Sequence, residues 1–134
     1  MARHFTLVLS SMAFLAGTAV YAAGPAAKGV LESLDHGNWD LRVRGDIGGK
    51  QPICFDGGQQ LIQLKHPDVP CKSVVLNESP EEVTIHYTCS GQGYGRTSIR
   101  RETSRLVQID SQGIAKGVPF AFTAEARRVS ACRR

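Results

Sequence analysis

Val83-Thr84-Ile85-His86-Tyr87-Thr88-Cys89 decides the fold. Apolar side chains fall at 83, 85, 87 and 89 and polar ones at 84, 86 and 88. That strict period of two lays every apolar residue on one side of an extended chain. Upstream, Trp39, Leu41 and Val43 alternate with Asp40, Arg42 and Arg44, which predicts a half-buried strand over 38–44. Downstream, Val118, Phe120, Phe122, Ala124 and Ala126 share one parity against Ala121, Thr123, Glu125 and Arg127. Residues 95–102 and 105–110 read as strands with mixed faces. Turn-forming residues cluster at 45–49, 91–93 and 110–113, each rich in side chains that tolerate positive φ. Short strands at this spacing predict a mainly β fold. It would be a single antiparallel meander sheet, either open or curved into a partly closed barrel.

Two stretches break the alternation. Residues 25–34 read as a linker ending in a helical turn. Residues 57–64 (GGQQLIQL) predict one short helix with Asp56 as its N-cap. His66-Pro67-Asp68-Val69-Pro70 must be loop, because its two prolines disfavour helix and central strand alike.

The N-terminus supplies the compartment. Arg3 and His4 precede an apolar run from Phe5 to Val20, followed by Val20-Tyr21-Ala22. A charged start, an apolar run and a small-x-small site predict a secretory signal peptide over 1–22, cut after Ala22. The run falls short of the ~20 residues that span a bilayer. What remains reads as an N-terminal linker, 23–36, and one β domain, 37–134, in a periplasmic or secreted protein. Charge is unevenly spread. Residues 23–89 hold six lysines and arginines against nine acids, whereas residues 90–134 hold nine against three. Such a basic half could meet anionic groups. Nucleic acid is not expected, since Tyr94, Phe120 and Phe122 are the only aromatics there to stack on bases.

Cys54, Cys71, Cys89 and Cys132 form an even set in an exported chain, which predicts two disulfides. Of the three pairings, Cys54–Cys71 and Cys89–Cys132 are favoured. The first staples the short helical loop to the sheet, and the second ties a strand end to the C-terminus. On that pairing the loop closed by Cys89 is the longer, so breaking it should cost more stability.

The order Gly37-Asn38-Trp39-Asp40, then Ile53-Cys54-Phe55-Asp56, then single cysteines at 71, 89 and 132 resembles a family of small secreted bacterial proteins, domain-of-unknown-function family thirty-six seventeen. Asp40 stands where that family usually has Glu, and Phe55-Asp56-Gly57 replaces its Thr-Pro run. The resemblance implies a disulfide-stapled β domain in the envelope of a Gram-negative bacterium. It brings no activity, ligand or catalytic residue.

Catalytic patterns are weak. His86 and Cys89 with Cys71 or His66 could supply nitrogen and sulfur ligands to zinc, but the cysteines are better read as disulfides. No Cys-x-x-Cys pair offers redox chemistry. Ser90 lacks a nucleophile elbow, and Gly91 to Gly95 lacks phosphate-loop spacing. No metal and no cofactor are expected. The favoured reading is a non-catalytic envelope protein that binds a small apolar or anionic ligand or another envelope component. Trp39, Arg42, Arg44, Arg96 and Arg100 are the candidate ligand-binding or basic face, although for Trp39 a core position sealing the sheet is favoured over a ligand contact. Two alternatives stand. One is a metal-dependent or hydrolytic enzyme using His66, His86 and an acid. The other is a protease inhibitor presenting Asp56–Pro70 as a rigid loop.

Overall fold

A computed structural model describes residues 28–45 and 51–133. The predicted signal peptide, 1–22, lies outside these residues, as does most of the turn predicted over 45–49. Seven strands follow a short 3₁₀ turn at Leu31–Ser33: β1 (Gly37–Val43), β2 (Gln51–Phe55), β3 (Cys71–Glu78), β4 (Glu82–Cys89), β5 (Gly93–Thr103), β6 (Leu106–Ala115) and β7 (Val118–Ser130). They form one sheet in the order β2-β1-β7-β6-β5-β4-β3, every neighbouring pair antiparallel. The fold is mainly β, as the alternation requires. The sheet does not close, so β2 and β3 are its two edges.

Register turns the period-two pattern into a core. Val43, Ala124, Ile109, Ile99 and Val83 are successive cross-strand partners on β1, β7, β6, β5 and β4. Trp39, Leu41, Ile85 and Tyr87 extend this inner face, and all of them are buried. Phe55 of β2 meets Trp39 edge-on at 6.1 Å between ring centroids. The end of the stretch read as linker belongs to the same core. Val30 and Leu34 are buried, Trp39 Nε1 donates to the Asp35 carbonyl (3.1 Å), and the Val30 N–H donates to Glu78 Oε1 (3.3 Å).

Three expectations need correction. Residues 57–64 form a single turn rather than a helix, with one i→i−4 bond, from the Gln63 N–H to the Gln59 carbonyl. Gly57 sits at φ +91°, which ends any helical path there. Asp56 still caps the turn, its Oδ1 accepting the Gly58 N–H at 3.1 Å. Residues 110–113 are not a turn, because β6 runs through them to Ala115. Ser111 is buried against Thr97, and Gly113 pairs with Gly95 where the sheet leaves no room for a Cβ. The β6–β7 turn is Lys116–Gly117 instead, with φ values of +50° and +78° that suit a two-residue primed hairpin. Gly113→Ala would bring a Cβ to 2.7 Å from Gly95 Cα and closer still to the Tyr94 carbonyl. It should cost about 1–3 kcal/mol, read as a lower urea midpoint.

The disulfides are Cys54–Cys132 and Cys71–Cys89, not the pairing favoured from the sequence. Residues 56–70 do not double back beside β2. They carry the chain from one sheet edge to the other, so Cys54 and Cys71 stand on opposite edges. Cys71 and Cys89 are direct register partners, 4.2 Å apart at Cα. Cys132 reaches Cys54 because β7 ends beside the start of β1: Asn38 pairs with Ser130 on one side and with Cys54 on the other.

Candidate functional site

The crossing segment 56–70 covers the inner face of the sheet. Leu61 and Ile62 are buried, and the Ile62 carbonyl accepts the Thr97 hydroxyl at 2.7 Å. His66 is pinned between the Tyr87 hydroxyl (Nδ1, 3.1 Å) and the Gln92 carbonyl (Nε2, 3.0 Å). A carbonyl only accepts, so Nε2 carries a proton and Nδ1 of the neutral ring accepts from Tyr87. Burial pushes the Tyr87 phenol above its ordinary value. The unfolded phenol ionises near pH 10, where the folded one still holds its proton. Stability from this group is therefore intact below pH 10 and is lost as pH rises through the folded value. Thermal melts between pH 9 and 11 should show the wild type losing stability more steeply than Tyr87→Phe.

Three glutamines shape the segment's outer side. Gln63 donates through Nε2 to the carbonyls of His66 (2.7 Å) and Val69 (2.8 Å), which fixes the loop that follows. Gln60 Nε2 donates to Asp56 Oδ1 at 2.6 Å, and Gln59 Nε2 to Ser73 Oγ of β3 at 3.1 Å. The Gln60 amide, followed by the Gly58 N–H, holds the Asp56 carboxyl below its ordinary value.

Between β2 and this segment lies a cavity of about 860 Å³. Gln51–Cys54 of β2 form one wall and Pro67–Cys71 the other, with Gln59, Gln60, Gln63 and Leu64 between them. The cavity thus opens along the seam where the sheet fails to close. Each lip is braced covalently: Cys54 of the first wall is tied to Cys132, and Cys71 of the second to Cys89. Gln60 Oε1 and Gln63 Oε1 are buried without a hydrogen-bond partner among the described residues.

The predicted basic face splits. Arg44 and Arg96 line one shallow polar groove of about 570 Å³ on the outer face, with Ser98, Asp110, Gln112 and Thr123. Asp110 there accepts the Thr123 hydroxyl at 2.6 Å. Arg42 and Arg100 lie one row away, at either end of a Glu125–Gln108 pair, and Arg100 is tied to Glu102 at 3.3 Å. Trp39 is not part of that face. It is fully buried on the opposite side, in the core position that its strand parity allowed.

The catalytic alternatives lose their geometry. His66 touches the inner-face Tyr87, while His86 lies on the outer face beside Tyr94, 6.0 Å between ring centroids. Cys71 and Cys89 are bonded to each other, and no group of three His, Cys, Asp or Glu could hold a metal among the described residues. The segment read as an inhibitor loop buries Leu61, Ile62, Gln63 and His66. Sequence reasoning missed the seam itself. Its signal was the crowding of four glutamines and three prolines into 51–70, around Cys54 and up to Cys71.

Comparison with protein-family models, with curated proteins and with solved structures finds no match to this chain.

Proposed function

We propose that the chain is a non-catalytic ligand-binding protein of the bacterial envelope, periplasmic after cleavage, with the seam cavity as its binding site. The observation that carries this reading is the cavity between two disulfide-braced edges. Its volume is in the range of small-molecule sites, and its walls combine Ile53, Leu64 and Val69 with a few amides. Bracing both lips keeps the site formed before binding, which spares a ligand the entropy of ordering it. Two disulfides suit an oxidising compartment, and no described helix is long and apolar enough to cross a membrane. The resemblance to family thirty-six seventeen points to the same compartment.

Native mass spectrometry of protein purified from the periplasm without reductant tests it. The expected result is a non-covalent adduct on the wild type that is lost or weakened in Ile53→Trp, whose larger side chain obstructs the β2 wall of the cavity. Identical spectra from two equally stable proteins would contradict the proposal.

A further inference from the structure

The polar complement of the seam includes two acceptors that the fold leaves unmatched. Gln63 spends both Nε2 hydrogens on backbone carbonyls, while Gln59 and Gln60 spend one each, on Ser73 Oγ and Asp56 Oδ1. Pro52, Pro67 and Pro70, all in the walls, have no N–H to offer. Gln60 Oε1 and Gln63 Oε1 have no hydrogen-bond partner among the described residues, and Gln63 is only 8% exposed, so its amide oxygen has lost water without replacement there. A buried acceptor left this way is destabilising until a donor reaches it. The assignment of these oxygens is fixed by chemistry, since each amide nitrogen faces carbonyl or carboxylate oxygens that can only accept. Asp68 is the one charged side chain among the described lining residues. No described lysine or arginine lines the seam; Arg96 of the basic half and Arg44 are on the outer face.

We infer that the seam takes a ligand that presents N–H donors from an apolar body and carries no negative charge, an aliphatic amine or amide. This rests on the reading of the seam as the binding site. The apolar body lies against Ile53, Leu64 and Val69. Its donors meet the glutamine oxygens, both of which are covered by neighbouring atoms, so binding turns the half-buried Gln60 amide toward the ligand. A cationic head gains the Asp68 carboxylate in addition. A carboxylate head meets acceptors of its own kind and one like charge, and leaves both glutamine oxygens unpaired.

Four probes with the same six-carbon stem separate these outcomes: hexylamine, hexanamide, hexanol and hexanoate, each titrated into the oxidised protein. Backbone amide shifts of Gln51, Ile53, Cys54 and Val69, with the Gln63 side-chain amide, report occupancy of the seam. Hexylamine and hexanamide should saturate these shifts with Kd values at least about tenfold below that of hexanoate. Asp68→Asn should narrow the difference between hexylamine and hexanamide. Hexanoate binding as tightly as hexylamine would overturn the donor-ligand inference and leave the seam as a site. Failure of all four to move seam resonances would overturn the binding site itself.

Discussion

Replacing Cys54 by serine is expected to cost about 4–5 kcal/mol of stability, and replacing Cys71 by serine about 3 kcal/mol. The ranking follows from the loops these bonds close. Cys54–Cys132 spans a sequence separation of 78 residues and Cys71–Cys89 only 18. In the chain-entropy account, the longer loop restricts the unfolded chain more. On the pairing expected from the sequence, Cys54→Ser and Cys71→Ser break the same bond and cost the same, and Cys89→Ser is costlier than either. Urea midpoints of the two single variants, measured without reductant, distinguish the cases. A lower midpoint for Cys71→Ser than for Cys54→Ser would contradict the account. Both losses are a large fraction of the roughly 5–15 kcal/mol that holds a domain together, so Cys54→Ser should populate unfolded chains at 37 °C.

Trp39→Ala should cost about 3–5 kcal/mol, the usual loss on emptying a fully buried aromatic site. Trp39 sits between Ile53 of β2 and Arg128 of β7 in the register, so its removal loosens the edge strand as well as the core. It packs edge-on against Phe55, and its indole N–H is the donor for the Asp35 carbonyl that holds the N-terminal segment down. Trp39→Phe should recover most of the packing while leaving that carbonyl unpaired. A ligand-contacting tryptophan would behave differently, with unfolding midpoints unchanged and only binding lost. Equal midpoints for Trp39→Ala and wild type would therefore remove Trp39 from the core.

Strands buried on one face were legible because their side chains alternate. β1, β4 and β7 each put apolar residues on one parity, and each forms where that pattern lies. β3 carried no such signal. Only Cys71 is partly buried, and Val74, Val75 and Leu76 are 62%, 54% and 53% exposed, so as an edge strand it needs no alternation. A bulge between Val75 and Asn77 breaks its period as well. β2 buries only Phe55. Missing both edges hid the seam between them, and with it the cavity.

The disulfide error has the same root. Without two edge strands, residues 56–70 look like a local excursion that returns to its start, and nearest-neighbour pairing of Cys54 with Cys71 follows. With them, the segment is a crossing whose ends stand on opposite edges. The glutamines carried no readable signal of their own. Gln59, Gln60 and Gln63 have the spacing of a solvated helix face, yet each amide is bonded to a different part of the fold. The arginines were visible as a basic half but not as an arrangement. Only the register shows that Arg44 and Arg96 share a groove while Arg42 and Arg100 flank Glu125 and Gln108.

The central claim is that two cystines brace the opposite lips of an open seven-stranded sheet around a cavity. A peptide map of the oxidised protein, digested without reductant at a pH that prevents disulfide exchange, tests it most directly. The account predicts two linked pairs, one joining Cys54 to Cys132 and the other Cys71 to Cys89. Recovery of Cys54 joined to Cys71 would place both on the same side of the sheet, removing the crossing segment and the seam together.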